Sequence, residues 1–503
     1  MSRRRHANPD AAAAPAASAP PGEPLALDVI IIGAGLTGIN MAYRLQTGMP
    51  HLSFTVLEAR GDIGGTWDVF RYPGVRSDSD MYTFGFAWHP WRHKLLGDGD
   101  QILSYMHECV LAYGLDKRLH FRHKVVAADW SSKKQRWTIQ VDHDGQSKTY
   151  VAKWLVLSPG YFDHNKPLPA VIPGIDNFQG RLIHPQFWPA DYDYTDKKIV
   201  IIGSGATAVT MLPALAKTGA KHVTMLQRSP SYIVSIPIPD NKPTLFARHL
   251  PAVTFNWLRR MSWNFTMWTV AFMCAHFPSM VRNFIAAETR KQLPAKTPFD
   301  PHFVPAYNPW DQRMCYCPDG DFFRALHTEK ADVVTGTIKS VTANGIELED
   351  GTTLGADIIV TATGFSMHFA GGIPISVDNE AVVWPNKLVW NGCMVQDVPN
   401  LFFIWGYTNA SWTMGGDETA LIARRLLEYM GRQGTHVAVP KTPSGFQTKT
   451  QTIWKLSSTY VLASEKNLPK YGSEGPWRPR RSVIPDLMHA KWGNITKGLQ
   501  FLS

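Results

Sequence analysis

The stretch FQGRLIHPQFWPAD (residues 178–191) decides the fold through what flanks it: IIGAGLTG at 31–38 and IIGSGATA at 201–208. Each flank reads as strand, tight turn, helix. LDVIII (27–32) is an apolar run of buried-strand character. After it, Gly33 permits the turn, Gly35 lets the backbone approach a pyrophosphate, Thr37 lies in the first helical turn, and Gly38 lets helix and strand pack closely. A second strand, FTVLEA (54–59), ends at Glu58, where a carboxylate can accept ribose hydroxyls. The other turn follows the strand 198–202 and runs Gly203, Ser204, Gly205, Ala206, Thr207, Ala208, Val209. Ala208 stands for the third glycine, a variation this fingerprint allows. The next strand, HVTMLQRS (222–229), ends in Gln227 and Arg228 where an NADH site would carry an acid; a guanidinium there can clamp a ribose 2′-phosphate. Two dinucleotide folds in one chain imply two redox cofactors whose reactive rings must meet, and residues 178–191 must transmit that geometry.

Composition describes an ordinary globular enzyme. The chain has 503 residues, 44% hydrophobic and 18% charged, enough for two or three domains. Lys plus Arg exceed Asp plus Glu by 51 to 41, but the basic residues are dispersed, which suits anionic cofactors and does not demand nucleic acid. The cysteines, Cys109, Cys274, Cys315, Cys317 and Cys393, form no C-x-x-C pair, so neither zinc nor a redox dithiol is expected. A cytoplasmic location is the default for such usage. Residues 1–26 begin with Arg3 to Arg5 and continue in Ala, Pro and Ser without an apolar core, the pattern of a disordered tail and not of an export signal.

The pattern F-x-G-x-x-x-H-x-x-x-W-P, carried by Phe178, Gly180, His184, Trp188 and Pro189, resembles the fingerprint of type I Baeyer-Villiger flavin monooxygenases. NPWDQR (308–313) and GYTNASW (406–412) look most like the ethionamide-activating subgroup. The resemblance implies an α/β chain with two doubly wound, Rossmann-like domains. An FAD domain (27–170 and 351–503, the latter with a C-terminal helical region) would be interrupted by a fingerprint linker (171–191) and an NADPH domain (192–350) carrying a mostly helical insertion at about 240–300. The family's G-G-x-W and Y-P-G-x-x-x-D runs wrap the flavin, which points here to Thr66, Trp67 and Asp78; a Pro73-Gly74 turn would present Arg76, Ser77 and Asp78 to the cofactors. Val126 takes the place of a strand residue laid against the FAD adenine.

In that family NADPH reduces FAD, and the reduced flavin adds O2 to give a C4a-peroxide that attacks a ketone. Arg313 corresponds to the arginine that stabilises the peroxide, with Gln312 in place of a lysine. Asp78 would hold Arg313 and contact the nicotinamide; His184 would serve the hinge. Ketones would become esters or lactones, and thioethers sulfoxides. A flavin monooxygenase acting on nitrogen or sulfur only is the nearest alternative, disfavoured by Trp188-Pro189. A non-catalytic FAD-binding sensor is the alternative from another class. A disulfide reductase would need a dithiol beside the flavin.

Three further stretches carry expectations. DIIVTATG (357–364) reads as the strand and turn by which the chain returns to the FAD domain, and NLFFIWGYTN (400–409) as a strand near the flavin. The tryptophan-rich stretch 255–277 reads as helix, too interrupted by Ser262, Asn264 and Thr266 to span a membrane. Packing as core or lid is the first expectation for it; contact with a membrane surface or a subunit partner stays open. His89 and His93 lie four apart, but Pro90 breaks the helix a metal pair would need, so no metal site is expected.

Overall fold

Apolar runs without alternation have two faces to bury, and a parallel sheet covered on both sides is where such runs settle. The computed structural model describes residues 25–238, 250–408, 410–454 and 456–503. Its first strand, β1 (Leu25–Ile32), leads into α1 (Leu36–Gly48) and lies parallel to β2 (Phe54–Leu57). Beyond β2 comes β3 (Leu119–His120). A meander follows: β4 (His123–Ser131), β5 (Arg136–His143) and the long β6 (Gln146–Leu157) pair antiparallel. The second half of β6 then lies parallel to β1 on one side and to the strand Leu401–Phe403 on the other. Alternate residues of β1 serve different layers: Val29 and Ile31 join the helix-side core, Ile30 and Ile32 the meander side. The expected tail is shorter at its C-terminal end, because Leu25 and Ala26 already pair with Tyr150 and Val151; residues 1–24 lie outside the described residues.

The second sheet is wholly parallel. It is built from β7 (Arg181–Ile183), β8 (Lys198–Ile202), β9 (His222–Gln227), β10 (Ala331–Thr335) and β11 (Ile358–Thr361), in the spatial order β10-β9-β8-β11-β7. Helix α2 (Ala206–Lys217) follows β8. Two expected boundaries change. β11 pairs with both β8 and β7 inside this sheet, so the second domain runs past residue 350 to about Thr361. The boundary at 350/351 would split the small antiparallel sheet of Gly345–Leu348 and Thr353–Gly355. The fingerprint is also no free linker, since β7 is an edge strand of the second sheet.

The two domains are joined by a two-stranded ribbon, Phe162–Pro167 against Phe365–Met367. Each crossing follows a return strand, and each return strand passes its glycine turn at close range. Gly33 has φ +99°, and a Cβ there would lie 2.5 Å from the Ser158 carbonyl oxygen. Gly203, at φ +133°, would meet the Ala362 carbonyl still more closely.

The insertion is helical as expected: α3 (Ala252–His276) and α4 (Pro278–Gln292), with residues 239–249 outside the described residues. Its packing only partly meets the core-or-lid expectation: Trp263 packs against the helix-side core, but most of the insertion's large aromatics do not. α3 buries Arg260, Asn264 and Cys274 and leaves Trp257, Phe265 and Trp268 exposed. Towards the C-terminus, α5 (Trp412–Gln433) packs on α1, and α6 (Val483–Trp492) packs on α5.

Candidate active site

Helix α1 starts immediately after Gly35, with no side-chain cap and no acid in its first turn. Its first amides therefore lack partners within the helix, a disposition suited to an anion. They border a cavity of about 630 Å³ lined by Gly33, Gly35, Thr37, Glu58, Thr66 and Trp67. Glu58 is buried. Its Oε2 accepts from the Ala34 amide at 2.7 Å and its Oε1 from the Arg60 amide at 2.9 Å. Each oxygen has a second lone pair, so the carboxylate is both fixed and still able to accept a ribose hydroxyl. Gly38 acts in packing: a Cβ there would run into the Gly33 carbonyl. Trp67 stands edge-on to Phe84, ring centroids 5.7 Å apart.

One residue is corrected on this wall. Val125 lines the cavity, whereas Val126 is 43% exposed at a bulge between β4 and β5. The extra residue of a bulge shifts the side-chain alternation, which a strand assigned by position overlooks. His164 and Trp412 also line the cavity; His164 carries no local sequence signal, and Trp412 ends the GYTNASW stretch but is not among the residues that sequence reading assigns to the site. Burial, helped by Arg60 and His368, pushes the His164 pKa down to about 4. Its buried Nε2 has no hydrogen-bond partner among the described residues. An uncapped helix start, a locked carboxylate, an aromatic wall and an orphaned imidazole nitrogen in a cavity of this size fit a dinucleotide such as FAD.

The second turn repeats the first in more open form. α2 also begins without a side-chain cap or a first-turn acid. Gly205 has no atom within 4 Å of where a Cβ would stand, and Gly205 and Ala206 are exposed, with Thr207 half-buried. Ser204 is tied to its own loop, its Oγ donating to the Ser229 carbonyl at 2.9 Å. Ala208 and Val209 point into the core, so only their backbone faces the turn, and the Val209 amide already bonds the Gly205 carbonyl. Gln227 faces away from the site: it is buried, and its Nε2 donates to the His302 carbonyl at 2.8 Å and Thr335 Oγ1 at 3.0 Å. Arg228, the next residue, is exposed and has no ion-pair partner among the described residues, a free cation at the strand end.

The loop 70–78 runs from the wall of the first cavity to the second domain. Gly74, at φ +78°, presses on α2, where a Cβ would lie 2.8 Å from the Thr210 carbonyl oxygen and from Ala214 Cβ. Phe70 stacks on Phe365 of the ribbon at 4.7 Å. Arg76 is not free to meet a cofactor: its guanidinium is buried in an ion pair with Asp321 of the second domain, at 2.5 Å. Ser77 is buried too, donating to the Ser79 carbonyl and accepting from the Ser79 amide.

Asp78 does reach the arginine assigned to it. Its Oδ2 lies 3.7 Å from Arg313 Nη1, and the two side chains are 31% and 34% exposed. Burial pulls the Arg313 pKa down, but Asp78 first, then Tyr161, Tyr460 and Tyr316, outweigh it, and the net direction is upward. The guanidinium is therefore held cationic. All three phenols are raised by burial; Tyr316 follows Arg313 by three residues, whereas Tyr161 and Tyr460 come from distant parts of the chain, and sequence reading missed all three.

The fingerprint closes the arrangement. His184 Nε2 lies 3.3 Å from the Gly364 carbonyl at the start of the second crossing, while its Nδ1 accepts from the Gln186 amide at 3.3 Å. Those partners fix the tautomer with the proton on Nε2, and burial lowers the ring's pKa. The ring meets Phe365 edge-on at 5.9 Å, so His184, Phe365 and Phe70 form one chain of contacts from β7 to the loop beside Asp78. Phe178 and Trp188 are buried in two different cores of the second domain, with Pro189 directly after Trp188. Gly180 is required because a Cβ would lie 2.5 Å from both the Asp357 carbonyl and the Phe178 ring.

Comparison with known proteins agrees with this arrangement. Residues 26–249 match the flavin-binding monooxygenase-like (FMO-like) family. The FAD-containing monooxygenase EthA of Mycobacterium tuberculosis is 42% identical over 477 residues, covering 94% of this chain and 97% of that protein. Among solved structures, ε-caprolactone-bound cyclohexanone monooxygenase superposes with a TM-score of 0.69 at 22% identity, over 83% of this chain and 90% of the other. OTEMO in complex with FAD and NADP gives 0.66 at 21%, over 82% and 87%. At such identities the two structures attest the shared fold.

Proposed function

Because the chain belongs to the flavin-binding monooxygenase family, resembling its type I Baeyer-Villiger branch near the EthA group, we propose that it inserts one oxygen atom of O2 beside the carbonyl of a ketone, giving an ester or lactone, and onto the sulfur of a thioether, giving a sulfoxide. FAD and NADPH are the cofactors: when bound, the flavin supplies oxygen activation and the reduced nicotinamide supplies the electrons for it. The protein supplies position and charge.

The first glycine turn, with Glu58, would hold the FAD diphosphate and ribose in the larger cavity. The second turn and Arg228 would hold the NADPH phosphates. Loop 70–78, pressed onto α2 by Gly74, sets the distance between the two sites. One observation carries the reading: the Asp78–Arg313 pair stands on that loop's edge, its guanidinium held cationic among three phenols. As oxygen adds to a carbonyl, negative charge gathers first on the attacking oxygen and then on the carbonyl oxygen. A fixed cation there stabilises the transition state more than the ground state. Asp78 orients Arg313 and keeps it charged.

The test is Arg313→Ala, assayed with linear, cyclic and aryl ketones beside thioethers. The variant should bind FAD and bleach with NADPH, yet lose oxygenation by about 10²-fold, the usual cost of one oxyanion donor, ~3 kcal/mol. Undiminished ester formation would remove Arg313 from the chemistry.

A further inference from the structure

The helical insertion departs from the usual amphipathic arrangement. Its buried face is mixed: Cys274 and Ile285 join an apolar cluster, but Arg260 is buried too, donating to the Tyr82 and Gly85 carbonyls at 3.0 and 2.6 Å and standing 3.5 Å from Asp417. Its outer face is aromatic. Phe265, Trp268 and Phe272 stack one on the next, with centroids 5.9 and 5.5 Å apart. Trp257 is 58% exposed, Phe272 40%, and Phe284 on α4 65%. Phe277 and Met280 continue the stripe. α6 presents a second exposed stripe, Ile484, Met488 and Trp492, at the four-residue spacing of one helix face. The two stripes meet at a cavity of about 250 Å³, with Phe265 and Trp268 on one wall and Val483, Ile484 and Pro485 on the other. Apolar side chains scattered singly on a surface mean little, but a continuous stretch of this kind marks an interaction site.

Charge selects the partner. No Asp or Glu occurs in the sequence between Asp240 and Glu288, a stretch that carries Arg259 and Arg282 besides the buried, ion-paired Arg260. Exposed Arg282, Arg290, Lys291, Arg481 and Lys491 stand on the three elements that carry the stripes or at their ends. A second copy meeting this face by two-fold symmetry would bring cationic rim against cationic rim. An anionic bilayer opposes the rim with lipid charge and receives the aromatic centre among its headgroups and upper acyl chains, where Trp and Phe are favoured. Among the described residues no helix is long and apolar enough to cross a membrane.

We propose that the α3–α4–α6 face docks on an anionic lipid surface, with α3 lying in the plane of the interface. The experiment is vesicle flotation with the full-length holoenzyme. Wild type should float with vesicles of phosphatidylcholine containing phosphatidylglycerol, less with phosphatidylcholine alone, and less again as salt is added. Trp257→Ser, Phe272→Ser and Phe284→Ser together remove exposed residues that line neither cavity. The triple variant should keep its flavin content and melting temperature, yet bind vesicles at least ~10-fold more weakly, given the transfer energy of even one aromatic side chain. Failure of wild type to float, or equal flotation of the variant, would overturn the proposal. So would a concentration-dependent dimer that the variant abolishes in the absence of vesicle binding, because the face would then join two copies of this chain. None of these readouts depends on oxygenase activity.

Discussion

In the proposed reading coenzyme choice would rest on Arg228, and its removal tests the assignment of the second glycine turn. Gln227 is committed to the His302 carbonyl and Thr335, Arg76 to Asp321, and Gln312 carries no charge. Among the described residues, Arg228 at the end of β9 is the cation proposed for a ribose 2′-phosphate. A charge-assisted hydrogen bond contributes about 1.5–3 kcal/mol. Because Arg228 is exposed, solvent screening favours the lower end, and at ~1.4 kcal/mol per decade that is about a tenfold preference for NADPH over NADH. Arg228→Ala should raise the NADPH concentration needed for half-maximal flavin reduction by about that factor and leave NADH nearly unchanged. The assay is the anaerobic bleaching rate of the flavin against both coenzymes, which isolates hydride transfer from oxygen chemistry. An unchanged NADPH-to-NADH ratio would refute the argument and move the 2′-phosphate to another cation.

Three further outcomes follow from the geometry. His184→Ala removes the tie to Gly364 and should slow hydride transfer or coupling while FAD stays bound; loss of FAD as the only defect would make the fingerprint part of the flavin cradle. Gly74→Ala places a methyl against α2 in a positive-φ conformation and should cost about 1–3 kcal/mol of stability together with slower hydride transfer, whereas unaltered denaturation would show that the loop does not press on α2. Glu418 titrates in a buried cluster: the Tyr407 hydroxyl lies 2.7 Å from both its oxygens and 2.8 Å from Asp486 Oδ2. Burial, opposed by Arg480 and Tyr407, raises the Glu418 pKa to about 8. A raised folded-state value means the stabilisation is fully present below the ordinary Glu range and is lost as pH rises through about 8. The melting temperature of wild type should fall over that window, and Glu418→Gln should flatten the slope; parallel curves would place the titration elsewhere.

Features set by neighbouring residues were legible from the chain alone. A glycine turn between an apolar run and a helix is local chemistry, so both dinucleotide turns, Glu58 at its strand end and the helical character of the insertion could be read directly. The fingerprint spacing marked His184, and the structure gives it a partner, Gly364, that no spacing announces. Adjacent strand residues point to opposite faces, so in the pair Gln227-Arg228 only one could face a cofactor, and packing against His302 and Thr335 chose which. Val126 failed for a related reason, a one-residue bulge.

Long-range partners belonged to the tertiary structure. Arg76 looks like a cofactor contact in its loop, yet Asp321 in the second domain claims it. The stretch 357–364 has the same local form as the return strand 154–160, and only its pairing with β8 and β7 places it in the second sheet. From sequence the tryptophan-rich α3 is expected to pack as core or lid; Trp263 does pack on the core, while Trp257 and Trp268 stay exposed and Arg260 takes the inner face, where the Tyr82 and Gly85 carbonyls and Asp417 satisfy its charge. By itself the sequence determined two dinucleotide-binding folds and the fingerprint between them, because φ-permissive glycines and apolar runs act within a few residues. Which polar groups are satisfied by protein, and which remain open to a cofactor, a substrate or a lipid, was decided only when segments hundreds of residues apart came within hydrogen-bonding distance.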